Sequence, residues 1–215
     1  MSRRSFFTRL TSAERLRAPS SYRSTLPTVS SNDLPPVSVI ALNRMGFGPK
    51  PNDVDEFEAL GSSDSARLNA YIDMQTAPAS VDDSAFEALV AAANLSDTLE
   101  KDLTTLWQDH ISSNPAWQER IRPLIETERM TMSRAIHSKR QLQEVLSDFW
   151  HNHFNLYGLH YMVAPLFVNY DQEIIRPHIF GNFREMLGAV AQSPQMLYYL
   201  DGFSNKVAGP NENFA

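Results

Sequence analysis

Phe149-Trp150-His151-Asn152-His153-Phe154 closes an amphipathic segment that we predict to be a helix from Ser138 to Gly158. Serine is favoured at the start of a helix, and glycine just beyond its last turn. The apolar residues of the segment recur three or four positions apart, the spacing of one helix face: Leu142, Val145, Leu146, Phe149, Trp150 and Phe154. Alternation typical of a strand nowhere survives five residues. The sequence therefore predicts an all-α fold.

Two residues that precede this helix in the sequence, Pro123 and His110, lead to predictions. Pro123 has no backbone N–H to donate, so we expect a break or kink between Trp117 and Ile125, after which the helix resumes to Ile136. His110 lies on an apolar stripe at helical spacing that includes Leu106. A core or rim histidine is the expected role of His110.

Prolines also mark the helices that follow. Arg176 precedes Pro177 and is disfavoured in helical angles, so we predict a joint there and a new helix from Pro177 to about Gln192. Proline at the first helical position predicts a further short helix from Pro194 to Leu200.

The length and composition predict one folded domain behind a tail. Residues 18–36 are rich in proline and serine and bury too little apolar surface to offset the entropy of ordering. The sequence therefore predicts a disordered tail or linker over residues 1–36. We predict that the remaining residues, 37–215, form one irregular multi-helix domain.

The charge pattern and the absence of cysteine exclude several classes of function. The net charge is −6 and the basic residues are scattered, which argues against a nucleic-acid partner, since such a surface needs clustered cations. Without cysteine the chain has no disulfide, thiolate metal site or thiol nucleophile. Phosphate-binding glycine loops, nucleophile elbows and zinc-protease motifs are also missing from the sequence.

The membrane and export signals are incomplete. No run of about 18 apolar residues occurs, so no transmembrane segment is predicted. Residues 2–7 resemble the basic part of a twin-arginine signal, but Glu14, Arg15 and Arg17 interrupt the apolar stretch that should follow. We expect a soluble protein without a complete signal peptide, either cytoplasmic or exported by a route that the sequence does not reveal.

His151 and His153 are the first candidate site residues. Histidine titrates near neutral pH and binds divalent metals, so both are candidates for catalytic acid–base work and for a metal site. Residues two apart on a regular helix point about 200° away from each other. The two imidazoles can share an ion only if the helix unwinds; otherwise one faces the site and the other packs or caps.

A second cluster begins at Asp171. Asp171 and His178 are predicted to face His151 or His153, in the carboxylate–imidazole arrangement that orients a ligand or a base. The simpler alternative is a surface pair between Glu173 and Arg176. Further polar residues are candidates for substrate binding, since arginine suits carboxylate or phosphate and the loops supply oxygen donors: Arg176, Asn182, Arg184, Asn211 and Glu212.

Several blocks of sequence are similar, in content and order, to a bacterial family known as domain of unknown function 1800. The blocks are Ala41–Pro49, Trp150–Phe154, Tyr170–Asp171 with Ile175–His178, Gly181–Leu187, Ser193–Asp201 and Pro210–Ala215. In that family the last block continues into a leucine-rich helix and a second half of comparable size. The resemblance implies that this chain is the N-terminal part of a longer domain and depends on the missing C-terminal half, but it implies no established activity.

Two functions follow from these residues. The first is an enzyme with a metal-assisted or acid–base site built from His151, His153, Asp171 and His178. The second is a non-catalytic, envelope- or surface-associated structural or interaction module, in which the same residues form a buried polar network. Fold class alone does not choose between them.

Overall fold

The computed structural model describes residues 34–93, 97–209 and 211–212, and every regular element there is a helix. The all-α prediction is confirmed. The predicted tail over residues 1–36 lies outside the described residues except for its last three, and the described residues from Pro36 onward form one compact unit. The α-helices are α1 (Val37–Arg44), α2 (Asp53–Glu58), α3 (Asp64–Thr76), α4 (Ser84–Ala93), α5 (Leu103–Trp107), α6 (Trp117–His137), α7 (Gln141–Phe154), α8 (Phe167–Asn169), α9 (Phe183–Gln192) and α10 (Pro194–Tyr199). None of the helices described is long and apolar enough to cross a membrane.

Short turns of tighter or wider helix join these elements. The 3₁₀ turns are Pro78–Ser80, Ala164–Leu166, Arg176–His178 and Gly202–Ser204, and the π-helical turns are Gln108–Ser112 and Tyr170–Ile175. π-Helical turns are rare and occur frequently at functional sites. The second of them contains Asp171, one of the predicted site residues.

Buried apolar side chains of the described residues gather in three clusters. One lies among α1, α2 and α3 around Phe57, and a second around Leu106 joins α5 and α6 to the chain entering α8. The third surrounds Tyr170 of the second π-helical turn and includes residues of α9 and α10. Trp150 and Phe154 of α7 pack against this third cluster, so it supports the region in which the sequence predicts a site.

The predicted bounds of the central helix, α7, are wrong at both ends. The Ser138 hydroxyl does not cap it, but donates to Asp83 Oδ2 at 2.7 Å and accepts the Arg140 N–H at 3.0 Å. The helix ends at Phe154 because Asn155, and not Gly158, takes the left-handed conformation (φ 48°). Asparagine tolerates this conformation better than most residues, and the Ser138–Asp83 contact joins residues too distant in sequence for spacing to reveal.

Of the predicted break or kink near Pro123, the break is wrong, because α6 continues through this residue. Pro123 cannot donate to the carbonyl of Glu119, four residues earlier. The Nδ1–H of His110 donates to that carbonyl instead, at 2.7 Å. The His110 ring is buried, as predicted for a core histidine, and it supplies the hydrogen bond that the proline removes.

The helix predicted to start at Pro177 begins only at Phe183. Arg176, Pro177 and His178 form a 3₁₀ turn that continues the preceding π-helical turn, and a bend separates it from α9. Asn182 marks the true start, since its side-chain oxygen accepts the Arg184 N–H at 2.8 Å. Asparagine is among the strongest helix-capping residues, so it outweighs the preference of proline for the first turn. The short helix at Pro194 is confirmed.

Candidate functional site

Asp171 is the centre of the polar residues that the fold brings together. The π-helical turn directs its carboxylate inward, and only 1% of the residue is exposed. Its Oδ1 accepts a hydrogen bond from His151 Nε2 at 3.0 Å, and its Oδ2 accepts one from Arg176 Nε at 2.8 Å. Arg134 Nη1 lies 3.5 Å from the same Oδ2. One buried carboxylate thus meets three cationic or hydrogen-donating side chains.

A second carboxylate extends this arrangement. Arg176 donates through Nη1 and Nη2 to the two oxygens of Glu144, at 2.9 and 2.7 Å. This two-pronged geometry is the strong form of an arginine–carboxylate contact. Glu144 and His151 are seven residues apart on α7 and therefore lie on the same helix face. We call this set the ion network: Arg134, Glu144, His151, Asp171 and Arg176.

The charges of the ion network stabilise one another against burial. Burial alone would raise the pKa of the Asp171 carboxyl. The hydrogen bond from His151 and the charges of Arg176, His151 and Arg134 outweigh that effect and hold the pKa well below its usual value. For Arg176, burial is outweighed by the Glu144 and Asp171 carboxylates, which raise its pKa. Asp171 and Arg176 are therefore both ionised at neutral pH.

His151 has the most exposed side chain of the ion network, ahead of the two arginines. Its side chain is 22% exposed, whereas that of Asp171 is 2% exposed. The ring stacks on Phe167 at 5.5 Å between centroids and meets the edge of Tyr170 at 5.6 Å. Because a carboxylate only accepts, the Nε2 of His151 carries the proton that it shares with Asp171, and in the neutral ring Nδ1 is an acceptor.

His153 lies on a different side of α7, as its two-residue offset from His151 predicts. Its exposed ring stacks on Phe149 at 5.9 Å and meets Trp150 edge-on at 5.3 Å. Within the described residues, no group of three or more histidine, aspartate or glutamate side chains converges to hold a metal ion. The divalent metal at His151 and His153 stays a prediction that these contacts do not support.

His178 is also turned to a local partner. Its Nδ1 donates to the carbonyl of Ile174 at 2.8 Å, one turn earlier in the chain. The contacts described for Asp171 are to His151, Arg176 and Arg134, and His178 is not among them. The predicted carboxylate–imidazole pair therefore forms with His151, and His178 contributes to the end of the turn.

Of the predicted substrate-binding residues, one belongs to the ion network and the others make local contacts or are exposed. Arg176 lies inside the ion network, and its alternative pairing with Glu173 is replaced by Glu144 and Asp171. Asn182 caps α9, while Arg184 and Glu212 are exposed. The remaining residue, Asn211, donates through Nδ2 to the carbonyl of Leu200 at 3.0 Å.

Sequence reasoning missed two members of the ion network. Glu144 could have been found, because it shares a helix face with His151 two turns away. Arg134 gives no comparable signal, since it lies on α6 and meets Asp171 only through the packing of α6 on the chain around α8. Contacts between residues this far apart in the sequence follow from the fold and not from local spacing.

A separate cleft of about 410 Å³ lies among α1, α2, α3 and the start of α4 and shares no residue with the ion network. Its floor is apolar and includes Phe57 and Tyr71, and burial raises the pKa of the Tyr71 hydroxyl to about 12. At its rim, Lys139 Nζ pairs with Glu56 at 3.0 Å and Lys50 Nζ donates to the Ser138 carbonyl at 2.8 Å. Both ammonium groups are thus already engaged by the protein.

The described residues form an all-α protein in which the buried charges of the ion network are paired with one another. The family model described as "Protein of unknown function (DUF1800)" matches residues 40–215, and the chain belongs to this family. The predicted family is therefore confirmed. Neither the curated proteins nor the solved structures include a significant match to the chain.

Proposed function

We propose that this chain is a non-catalytic structural or interaction module in which the ion network holds the helices in one arrangement. One observation carries the proposal: each charge of the network meets an opposite charge or a hydrogen-bonding partner within the network. A general acid or base must lie within hydrogen-bonding reach of the substrate proton that it transfers. Here Asp171 and Glu144 have their oxygens occupied by side chains of the protein itself.

The placement of the members supports this role. Arg134 belongs to α6, Glu144 and His151 to α7, and Asp171 and Arg176 to consecutive turns before α9. Contacts within one set of five side chains therefore link three separate parts of the chain. Buried polar networks that are fully satisfied favour a single packing arrangement over alternatives, because any other arrangement leaves a charge unpaired.

Substitutions at His151 test whether its hydrogen bond or its imidazole is what matters. His151→Gln can still donate to Asp171 through its amide, so we expect it to change the free energy of unfolding by less than about 1 kcal/mol. His151→Leu removes the donor from a buried carboxylate, and a loss of about 1–2 kcal/mol is expected. Urea unfolding followed by circular dichroism measures both.

His153→Gln is the matched control, because this imidazole is exposed and lies outside the ion network. It should leave the unfolding midpoint unchanged. Equal losses for His151→Gln and His151→Leu would contradict the proposal, since the hydrogen bond to Asp171 would then contribute nothing.

A second function is favoured by the exposed edge of His151. Asp171 fixes the ring with Nε2 protonated, which leaves Nδ1 as the nitrogen that could accept a proton from a substrate. The side chain is 22% exposed, so a small molecule could reach it. In this alternative, Asp171 orients the base and Arg176 and Arg134 keep Asp171 ionised.

Acylation of the native protein by diethyl pyrocarbonate tests this second function, because the reagent attacks an unprotonated ring nitrogen. Peptide mass mapping should find His151 modified in the folded protein if Nδ1 is accessible, with exposed His153 as the positive control. A His151 that reacts only after unfolding excludes it as a base. Elemental analysis of protein purified without chelator tests the predicted metal: a stoichiometric ion that is lost in His151→Gln would support it.

A further inference from the structure

The outward face of α6 carries a row of apolar side chains that the rest of the described chain does not cover. Met132 is 63% exposed and Ile136 is 54% exposed, and Ile121 and Ile125 are half-buried. The opposite face of α6 is buried against the chain around α8 through residues such as Leu124 and Met130. We call the uncovered row the α6 face: Ile121, Ile125, Glu128, Arg129, Met132 and Ile136.

The α6 face has open depressions between its side chains. Two open hollows lie side by side on it, one lined by residues that include Ile121 and the other by residues that include Met132. Both are lined by Ile125 and Arg129, so they adjoin near the middle of the row. Side chains of a second helix could enter these hollows, in the way that ridges of side chains pack into grooves between helices.

The order of residues along the α6 face is symmetric about the midpoint between Glu128 and Arg129. Ile125 precedes Glu128 by three residues, and Met132 follows Arg129 by three. Ile121 precedes Glu128 by seven residues, and Ile136 follows Arg129 by seven. Steps of three and seven both return to the same helix face. The row therefore reads apolar, apolar, charged, charged, apolar, apolar in either direction.

We propose that two copies of this chain associate through their α6 faces, with the helices antiparallel and a twofold axis between Glu128 and Arg129. In this arrangement Ile121 meets Ile136 of the other copy, and Ile125 meets Met132. A twofold interface uses the same patch on both copies, so a patch must complement itself, and a symmetric row does so. This inference rests on α6 alone and is independent of the ion network.

Charge complementarity selects a second copy as the occupant. The twofold axis sets Glu128 of each copy opposite Arg129 of the other, which makes two equivalent ion pairs. Both side chains are exposed, and neither has an ion pair within the described residues, so they are available for this contact. A parallel arrangement in register would instead set like charges against each other, which disfavours it.

The short contact between the two α6 faces predicts a weak dimer. Ile121 to Ile136 spans about 22 Å of helix. A single helix pair of this length falls below the roughly 1,200 Å² that stable complexes bury, in the range of transient contacts. The expected behaviour is therefore a reversible equilibrium between monomer and dimer that depends on concentration.

Sedimentation velocity from low micromolar to the highest soluble concentration tests the association. The native chain should show a rising fraction of dimer, and Met132→Glu should remain monomeric, because it sets a carboxylate against Ile125 of the other copy. Val207→Glu is the matched control, since Val207 is fully exposed and is not part of α6. A native chain that is monomeric throughout, or a dimer that Met132→Glu leaves intact, overturns the proposal.

Charge reversal separates this geometry from unspecific apolar association. Glu128→Arg sets two arginines against each other at both pairs and should weaken the dimer. Adding Arg129→Glu restores opposite charges across the axis, so the double variant should recover the dimer fraction of the native chain. Failure of this rescue, with circular dichroism confirming the fold of both variants, overturns the twofold arrangement.

Cysteine cross-linking determines the direction of the helices. The chain has no cysteine, so introduced thiols are the only ones present. Ile125→Cys with Met132→Cys should oxidise to a covalent dimer, because these positions face each other across an antiparallel seam. Either single variant should not, since like positions lie about seven residues, or 10 Å, apart along the axis. Efficient cross-linking of the single variants would indicate a parallel dimer and overturn the proposal.

Discussion

Replacing Asp171 with alanine is expected to lower the free energy of unfolding by about 3–5 kcal/mol. The substitution removes the carboxylate that Arg176 and Arg134 share and the acceptor of the His151 Nε2–H. Arg176, whose side chain is only 11% exposed, keeps Glu144, but Arg134 loses its carboxylate, so two arginines are left beside one acid. Breaking a buried pair from one side leaves an uncompensated charge, which destabilises more than the intact pair stabilises. Urea unfolding at neutral pH measures the loss.

Glu87→Gln is the control for this experiment, because it also removes a carboxylate from an arginine. Glu87 pairs with Arg140 at 3.5 Å, but its side chain is 64% exposed. Exposed pairs of this kind contribute about 0–1 kcal/mol. If Asp171→Ala loses no more stability than Glu87→Gln, the ion network is not what holds these elements together.

The same carboxylate gives the protein an acid-sensitive component of stability. The pKa of Asp171 is lower in the folded protein than its ordinary value of 3.8, so the unfolded chain binds a proton first as the pH falls. The contribution is complete above pH 3.8 and is lost as the pH drops below it. Asp171→Asn, which does not titrate, should show a shallower loss of stability in that range than the native chain.

Local periodicity was sufficient to predict much of this region. The helical repeat from Leu142 to Phe154 depends only on neighbouring residues, and the structure confirms a helix there. The two-residue offset of His151 and His153 predicted that they would point to different partners, which they do. The contact of His151 with Asp171 was among the predicted pairings, since both residues lie in polar clusters near the ends of adjacent helical segments.

The features that could not be predicted depend on contacts between distant parts of the chain. Arg134 reaches Asp171 only because α6 packs near the second π-helical turn. The π-helical turn itself has no sequence pattern that spacing reveals, yet it determines the direction of Asp171. Serine often caps helices, but the hydroxyl of Ser138 donates instead to Asp83, which precedes α4 in the sequence. Tertiary contacts outweighed local preference in each case.

His110→Ala is expected to lower the free energy of unfolding by about 3–4 kcal/mol, through a cavity and a lost hydrogen bond. The ring is 3% exposed, and its Nδ1–H donates to the Glu119 carbonyl that Pro123 leaves without a helical partner. On its other side, Nε2 accepts from Lys101 Nζ at 3.1 Å, since Nδ1 carries the proton. Thermal and urea unfolding both measure the effect.

Pro123→Ala isolates the hydrogen bond from the cavity. Alanine at this position supplies the backbone N–H that can reach the Glu119 carbonyl within α6, so the carbonyl no longer needs His110. The loss caused by His110→Ala should therefore be about 1–2 kcal/mol smaller in the Pro123→Ala background than in the native chain. Equal losses in the two backgrounds would show that His110 only fills space.

The protonation of His110 provides an independent check. Burial lowers the pKa of the His110 imidazole below its ordinary value of 6.5, so the unfolded chain binds this proton more readily than the folded protein does. The corresponding stability is complete above pH 6.5 and is lost as the pH falls toward the folded pKa. His110→Gln does not titrate, so the decline in stability between neutral pH and pH 5 should be shallower in this variant than in the native chain. A parallel decline in the two proteins would mean that a different group is responsible, and His110 would then have no part in the acid response.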